Sequence, residues 1–190
     1  MARGTPDWGA VAAGVQSISE LPTYVLCNSA TFQAFAGIET LSLFNPATST
    51  KVARIIAVLL SVSGNEALGP GHSEVKLALT STPGTGAAVI PVRFDTDDVA
   101  AVCEGREDLT VSPTWAGDMA VFAAFGDYDN TAGAGRISST NLLVELYRHH
   151  PGQQARPITL RPGEGIATNV ITGAIRHRLA FAFLFTEEPA

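Results

Sequence analysis

Toward the C-terminus, Leu179, Phe181, Phe183 and Phe185 recur at every second position and the pattern stops at Thr186-Glu187-Glu188. A helix would scatter these four residues around its circumference, whereas a strand stacks them on one face. A face that apolar has to be covered, either as the inner wall of a sandwich or as a seam between subunits. This one segment demands a sheet packed on one side.

Much of the remaining chain is compatible with that demand. With 190 residues, 46% of them apolar, a sizeable core can be buried in one domain. Charged residues make up 16%, below the usual quarter or so, which leaves a surface of Ser, Thr, Gly, Ala and Pro suited to assembly against other protein. Residues 1–20 are read as an N-terminal arm, because Gly9 and Gly14 oppose the weak helical spacing of Val11, Val15 and Ile18. Its one aromatic, Trp8, is expected either to dock on a neighbouring subunit or to cover its own domain. Residues 21–190 are read as one β-sandwich domain.

Within that domain, Tyr24-Val25-Leu26 and Glu39–Phe44 read as strands, the second closed by Asn45-Pro46. Lys51–Ser63 has apolar residues on both faces, so a helix competes there. Its β-branched residues and turn-rich flanks favour a strand buried on both sides, paired with 39–44 as a sheet's central hairpin. Glu66–His72 reads as a loop, and Val75, Leu77 and Leu79 alternate as a half-buried strand. Ala88–Phe94 is a further strand in which Pro91, lacking an N–H, demands an edge or a bulge. Asp95–Asp98 is expected to cap a short helix through Val99–Val102, followed by a turn at 104–108. Trp115–Ala124 has no single period, and 126–135 looks like an exposed loop. Strands resume at Leu142–Tyr147, Pro157–Leu160 and Ile166–Val170. Many short strands with Gly/Pro-rich turns and little helix give an all-β expectation: an antiparallel β-sandwich or jelly roll with an N-terminal arm and long loops.

Chemical signatures are sparse. Cys27 and Cys103 form no CxxC pair and are expected to be buried thiols, in a protein made in a cytoplasm without a signal peptide. No apolar stretch is long enough to span a bilayer as a helix, so no membrane partner is expected. The net charge of -6, with no basic run beyond Arg176-His177-Arg178, gives no footprint for direct nucleic-acid binding. Asp95, Asp97 and Asp98 lack the glycine and terminal glutamate of a helix-loop-helix calcium site, and turn capping explains them. His149-His150 has no third ligand nearby. Arg161-Pro162-Gly163-Glu164-Gly165 resembles a turn of cupin-like jelly rolls, but without the H-x-H metal partner, and reads as a tight reversal closed by its glutamate. No nucleophile elbow or phosphate-cradling loop is found. Hence no catalytic residue, metal or cofactor is assigned, and the expectation is a protein that is not an enzyme.

The segments ETLSLFNPATSTKVARIIAVLLSVSG, ITLRPGEGIATNV and RHRLAFAFLF resemble those of tailed-phage virion proteins, in particular head decoration and accessory capsid β-sandwich proteins. The resemblance implies a virion location, a homo-oligomer such as a trimer, and contacts with the major capsid protein or other virion proteins. It places Trp8 on a neighbouring subunit and Leu179, Phe181, Phe183 and Phe185 around a symmetry axis or in the domain's own core. A tail, baseplate or fibre sandwich that binds carbohydrate or a receptor is the competing expectation. Its contacts would come from the loops and exposed aromatics, with Trp115, Asp127, Tyr128, Asp129 and Tyr147 as candidates.

Overall fold

A computed structural model describes residues 21–28, 32–33, 38–65, 71–127, 142–150, 156–172 and 177–190. The described residues form strands and turns with no helix. In chain order the strands are β1 (Thr23–Cys27), β2 (Phe32–Gln33), β3 (Ile38–Phe44), β4 (Lys51–Asn65), β5 (Gly71–Thr80), β6 (Thr85–Val89), β7 (Val92–Arg93), β8 (Glu104–Val111), β9 (Trp115–Asp127), β10 (Leu142–Arg148), β11 (Ile158–Leu160), β12 (Gly165–Thr172) and β13 (His177–Pro189).

Two antiparallel sheets divide them. One runs β10-β4-β13-β1-β7, with β11 also on β4 and β2 also on β13; the other runs β6-β8-β3-β12-β5-β9. Their inner faces meet in one core. The first sheet contributes Tyr24, Leu26, Ile55, Leu60, Leu160 and the Leu179-Phe181-Phe183-Phe185 row, and the second Leu41, Leu43, Val75, Leu77, Ile166 and Val170. The β-sandwich expected from alternation is therefore the fold, and the four-residue row of β13 is its inner wall. Tyr24 stacks on Phe185 with ring centroids 5.4 Å apart. The sheets also touch at Gly105, where an added Cβ would stand 2.3 Å from Leu26 Cδ1 of the facing sheet and 2.5 Å from the Val89 carbonyl of the adjacent strand, so a side chain there would displace Leu26 and strain the β6–β8 pairing.

Several local expectations are corrected. β3 and β4 do not form a hairpin: they lie in different sheets, and residues 45–50 turn the corner between them. Asn45 explains the turn. Its buried Nδ2 donates to the Lys51 carbonyl at 2.8 Å and to the Leu160 carbonyl at 3.0 Å, occupying acceptors at the start of β4 and the end of β11. Its backbone N–H donates to the Glu164 carbonyl and its carbonyl accepts from Gly163, joining the corner to the 161–164 reversal. That reversal is closed as expected, with Glu164 Oε2 accepting from the Arg161 N–H at 2.8 Å and Gly163 at φ +85°.

β4 is a strand, but it is not buried on both sides. Ala53, Ile55, Val58 and Leu60 face the core while Val52, Ile56 and Leu59 are half-buried and Arg54 is exposed. A bulge between Ile55 and Ala57, visible as a register shift against β13, moves the inward frame from odd to even positions and so makes the sequence look apolar on both faces. The lack of period in 115–124 has a similar cause, because β9 pairs with β5 through three register shifts. Gly71 and His72 open β5, and Gly126 and Asp127 end β9, so those parts of two expected loops are strand. Residues 104–108 are strand rather than turn, and no helix follows Asp95–Asp98. Instead the Asp98 N–H bonds the Asp95 carbonyl and the Asp97 N–H bonds Asp95 Oδ1, which closes a turn.

Candidate functional site

β6 and β7 are the edge strands of the two sheets, and Ile90-Pro91 carries the chain from one to the other. Pro91 thus sits where its missing N–H matters least. The segment that follows alternates again: Ile90, Val92 and Phe94 are 83%, 60% and 66% exposed, and Val99 beyond the aspartate turn is 60% exposed. Val92 pairs with Val25 and Arg93 with Tyr24. Because Tyr24 points into the core, Val92 stands on the outer face of its sheet beside the half-buried Val25, with Ile90 just before β7 and Phe94 just after it.

This strip rests on backbone held by hydrogen bonds, among them bonds from or to the buried Tyr24 and Glu187 side chains. The Phe94 N–H donates to the Thr23 carbonyl at 2.9 Å, and the Arg93 guanidinium donates to the Asp98 carbonyl. The Tyr24 hydroxyl donates to the Val99 carbonyl at 2.9 Å. Glu187, whose side chain is fully enclosed, accepts from the Val102 and Cys103 N–H groups at 2.8 Å each and pairs with Lys51 Nζ at 3.1 Å. A carboxylate in such a place is stabilised by a cation and two N–H donors together, and it fixes the loop from 95 to 103 against the end of β13.

The same cluster is chemically quiet. Burial first, and then the Glu187 charge with its hydrogen bond, push the Cys103 thiol far above its ordinary range. It is a neutral thiol at physiological pH and not an activated nucleophile. Burial, followed by the charges of Glu187 and Asp98, pushes the Tyr24 phenol up to about 12. The two residues serve as hydrogen-bonded packing under the strip.

The sequence-derived candidates are dispersed. Leu179, Phe181, Phe183 and Phe185 lie in the core at 0–1% exposure within a single chain. Trp115 begins β9, half-buried, at one edge of the second sheet. Tyr147 lies on β10 of the other sheet, packs against the core and accepts a hydrogen bond from the Ile158 N–H. Asp127 ends β9, while Trp8, Tyr128 and Asp129 lie outside the described residues. Cys27, expected to be buried, is exposed, because β1 turns Tyr24 and Leu26 inward and position 27 falls on the other face. Among the described residues no three His, Cys, Asp or Glu side chains gather where they could hold a metal ion.

Sequence reading missed the strip itself and the Tyr24, Lys51, Cys103 and Glu187 cluster. The strip had a signal in the Ile-Pro-Val-Arg-Phe alternation around an edge-marking proline. The cluster had none, since its members are separated by up to 163 positions from Tyr24 to Glu187. No family model, curated protein or solved structure matches the chain.

Proposed function

We propose that this chain is a non-enzymatic structural protein of a virion, a capsid decoration or accessory protein that contacts neighbouring subunits through the strip at 90–99. The strip carries the reading: apolar side chains grouped on a sheet edge, largely exposed yet held on pinned backbone, are what a protein contact uses. Its backbone needs little further ordering on docking, which lowers the entropy loss of association. A low proportion of charge and many small surface residues fit contacts that are weak singly and multiplied by symmetry. The likeness of the Leu-x-Leu-Phe-Asn-Pro and Pro-Gly-Glu-Gly segments to those of tailed-phage head proteins supplies the particle.

Electron cryo-microscopy of the assembly that contains the chain tests this. The expected result is density on the outer head lattice with residues 90–99 against a neighbouring subunit, together with binding of the purified chain to expanded heads but not to free DNA. Density in a tail fibre or baseplate would replace decoration by attachment, and absence from every particle would overturn the virion reading.

A further inference from the structure

We propose that the free edge of β6 takes up an extended, basic segment of a partner protein as an additional strand. The inference rests on the strip being a docking face, as proposed above, and adds the chemistry of what docks there. Among the described residues β6 is paired with β8 alone, so along Thr85–Val89 every second residue turns its N–H and C=O away from the sheet. Such an edge binds a strand through main-chain hydrogen bonds. Edges that must stay single are guarded by charge, as on β10, an outer strand of the other sheet, where Glu145 and Arg148 are exposed. β6 reads Thr-Gly-Ala-Ala-Val, with no charge and no proline. Its exposed Thr85, Ala87 and Ala88 are small enough to leave room for larger side chains on an added strand, and it leads straight into Ile90, which is 83% exposed.

The charge around this edge selects the strand. Residues 85–108 hold six acidic and two basic side chains, a net charge of -4 within a chain total of -6. Asp95, Asp97, Glu104 and Asp108 are exposed. Of the two arginines, Arg106 pairs with Glu104 at 3.3 Å, and Arg93 directs its guanidinium to the Asp98 carbonyl. The ion pairs among the described residues take in none of Asp95, Asp97 and Asp108. Ala87 pairs with Glu107 and Val89 with Gly105, which sets Asp108 and Glu104 on β8 to either side of that stretch of β6. The aspartate turn follows directly after Phe94. Lysine or arginine side chains alternating with apolar ones would therefore meet both the carboxylates and Ile90. A second copy of this chain would bring the same negative edge against the first, and like charges oppose that pairing.

Fluorescence anisotropy of the full chain with three labelled nine-residue peptides tests this. One alternates lysine and valine, and the second has glutamate for each lysine. The third keeps the lysines but carries N-methyl groups on four consecutive central residues, which blocks strand pairing along both of its edges. The lysine peptide is expected to bind, with the glutamate and N-methyl peptides each weaker on the order of ten-fold or more. Ala88 is exposed, so Ala88→Lys and Ala88→Glu remove no core packing, and far-UV circular dichroism verifies the fold of each variant. Ala88→Lys should weaken the lysine peptide by a similar factor, whereas Ala88→Glu should not. Undiminished binding of the N-methyl peptide would overturn strand addition, and undiminished binding of the glutamate peptide would overturn the basic partner. Binding of none of the three, or self-association of the chain that Ala88→Lys abolishes, would overturn both. The docking face stands or falls separately, on whether Phe94→Ser abolishes binding to particles.

Discussion

Two stretches of this chain carry nearly the same pattern and end in opposite places. Leu179-x-Phe181-x-Phe183-x-Phe185 is 0–1% exposed, while Ile90-x-Val92-x-Phe94 is 60–83% exposed. Alternation determines which residues share a face in both cases. What differs is lateral and vertical cover. β13 has β4 along one side and β1 and β2 along the other, and it faces a second sheet whose strands are apolar at matching depth. The 90–94 segment crosses between the sheets at Ile90-Pro91, is an edge strand only at Val92–Arg93, and turns Val92 to the outer side of the sheet. Periodicity thus tells that a face is apolar, whereas neighbours decide whether the fold or something outside it does the covering.

The sharpest way to break the comparison is to make the same substitution in both rows. Phe183→Ala should destabilise the chain by about 3–5 kcal/mol, through lost burial and the cavity left in a close-packed wall. Phe94→Ala should change stability by less than about 0.5 kcal/mol, since its ring is already in solvent. Urea unfolding midpoints of the two variants measure this directly. Equal losses would mean that the two rows share one environment.

A somewhat smaller effect is expected beneath the strip. Glu187→Ala strands two backbone N–H groups and Lys51, at about 1–3 kcal/mol for each buried group left unpaired, and about 3 kcal/mol in all is expected because Lys51 can reach solvent. The loss should be local as well as global. Hydrogen exchange at the Val102 and Cys103 amides should accelerate beyond the average for the chain, whereas in Phe183→Ala the change should follow global unfolding. Uniform exchange in both variants would show that Glu187 does not hold the 95–103 loop.

The contrast also explains what was legible in the sequence. Strand existence was readable wherever one face was apolar, as at 75–79 and 178–185, because the period of two survives burial on one side. It failed where bulges interrupt the count: Ile55–Ala57 made β4 look two-faced, and three register shifts hid β9 altogether. The sheet change at Asn45 depends on hydrogen bonds to Lys51, Leu160, Gly163 and Glu164, partners that no local pattern connects. For the same reason the support under the strip was invisible, although the strip's own residues and its edge-marking proline were in plain view.

Alkaline pH probes the cluster that joins the two regions, because Tyr24 stacks on Phe185 of the buried row and its hydroxyl donates to the Val99 carbonyl of the strip. The folded chain holds the Cys103 proton well above its ordinary 9.0 and raises Tyr24 from 10.0 to about 12, in both cases chiefly by burial. The unfolded chain therefore releases these protons first, so the stability contribution is whole below pH 9 and declines above it, first through the thiol and then, between pH 10 and about 12, through the phenol. Unfolding free energy measured by urea from pH 8 to 11 should fall accordingly. A Cys103→Ala, Tyr24→Phe double variant should lose most of that slope even though its stability at pH 8 is lower. Glu187→Gln should retain the part of it that burial supplies, the first cause in both shifts. A slope that survives the double variant would place the alkaline response elsewhere, and would leave the cluster under the strip with hydrogen bonding as its whole contribution.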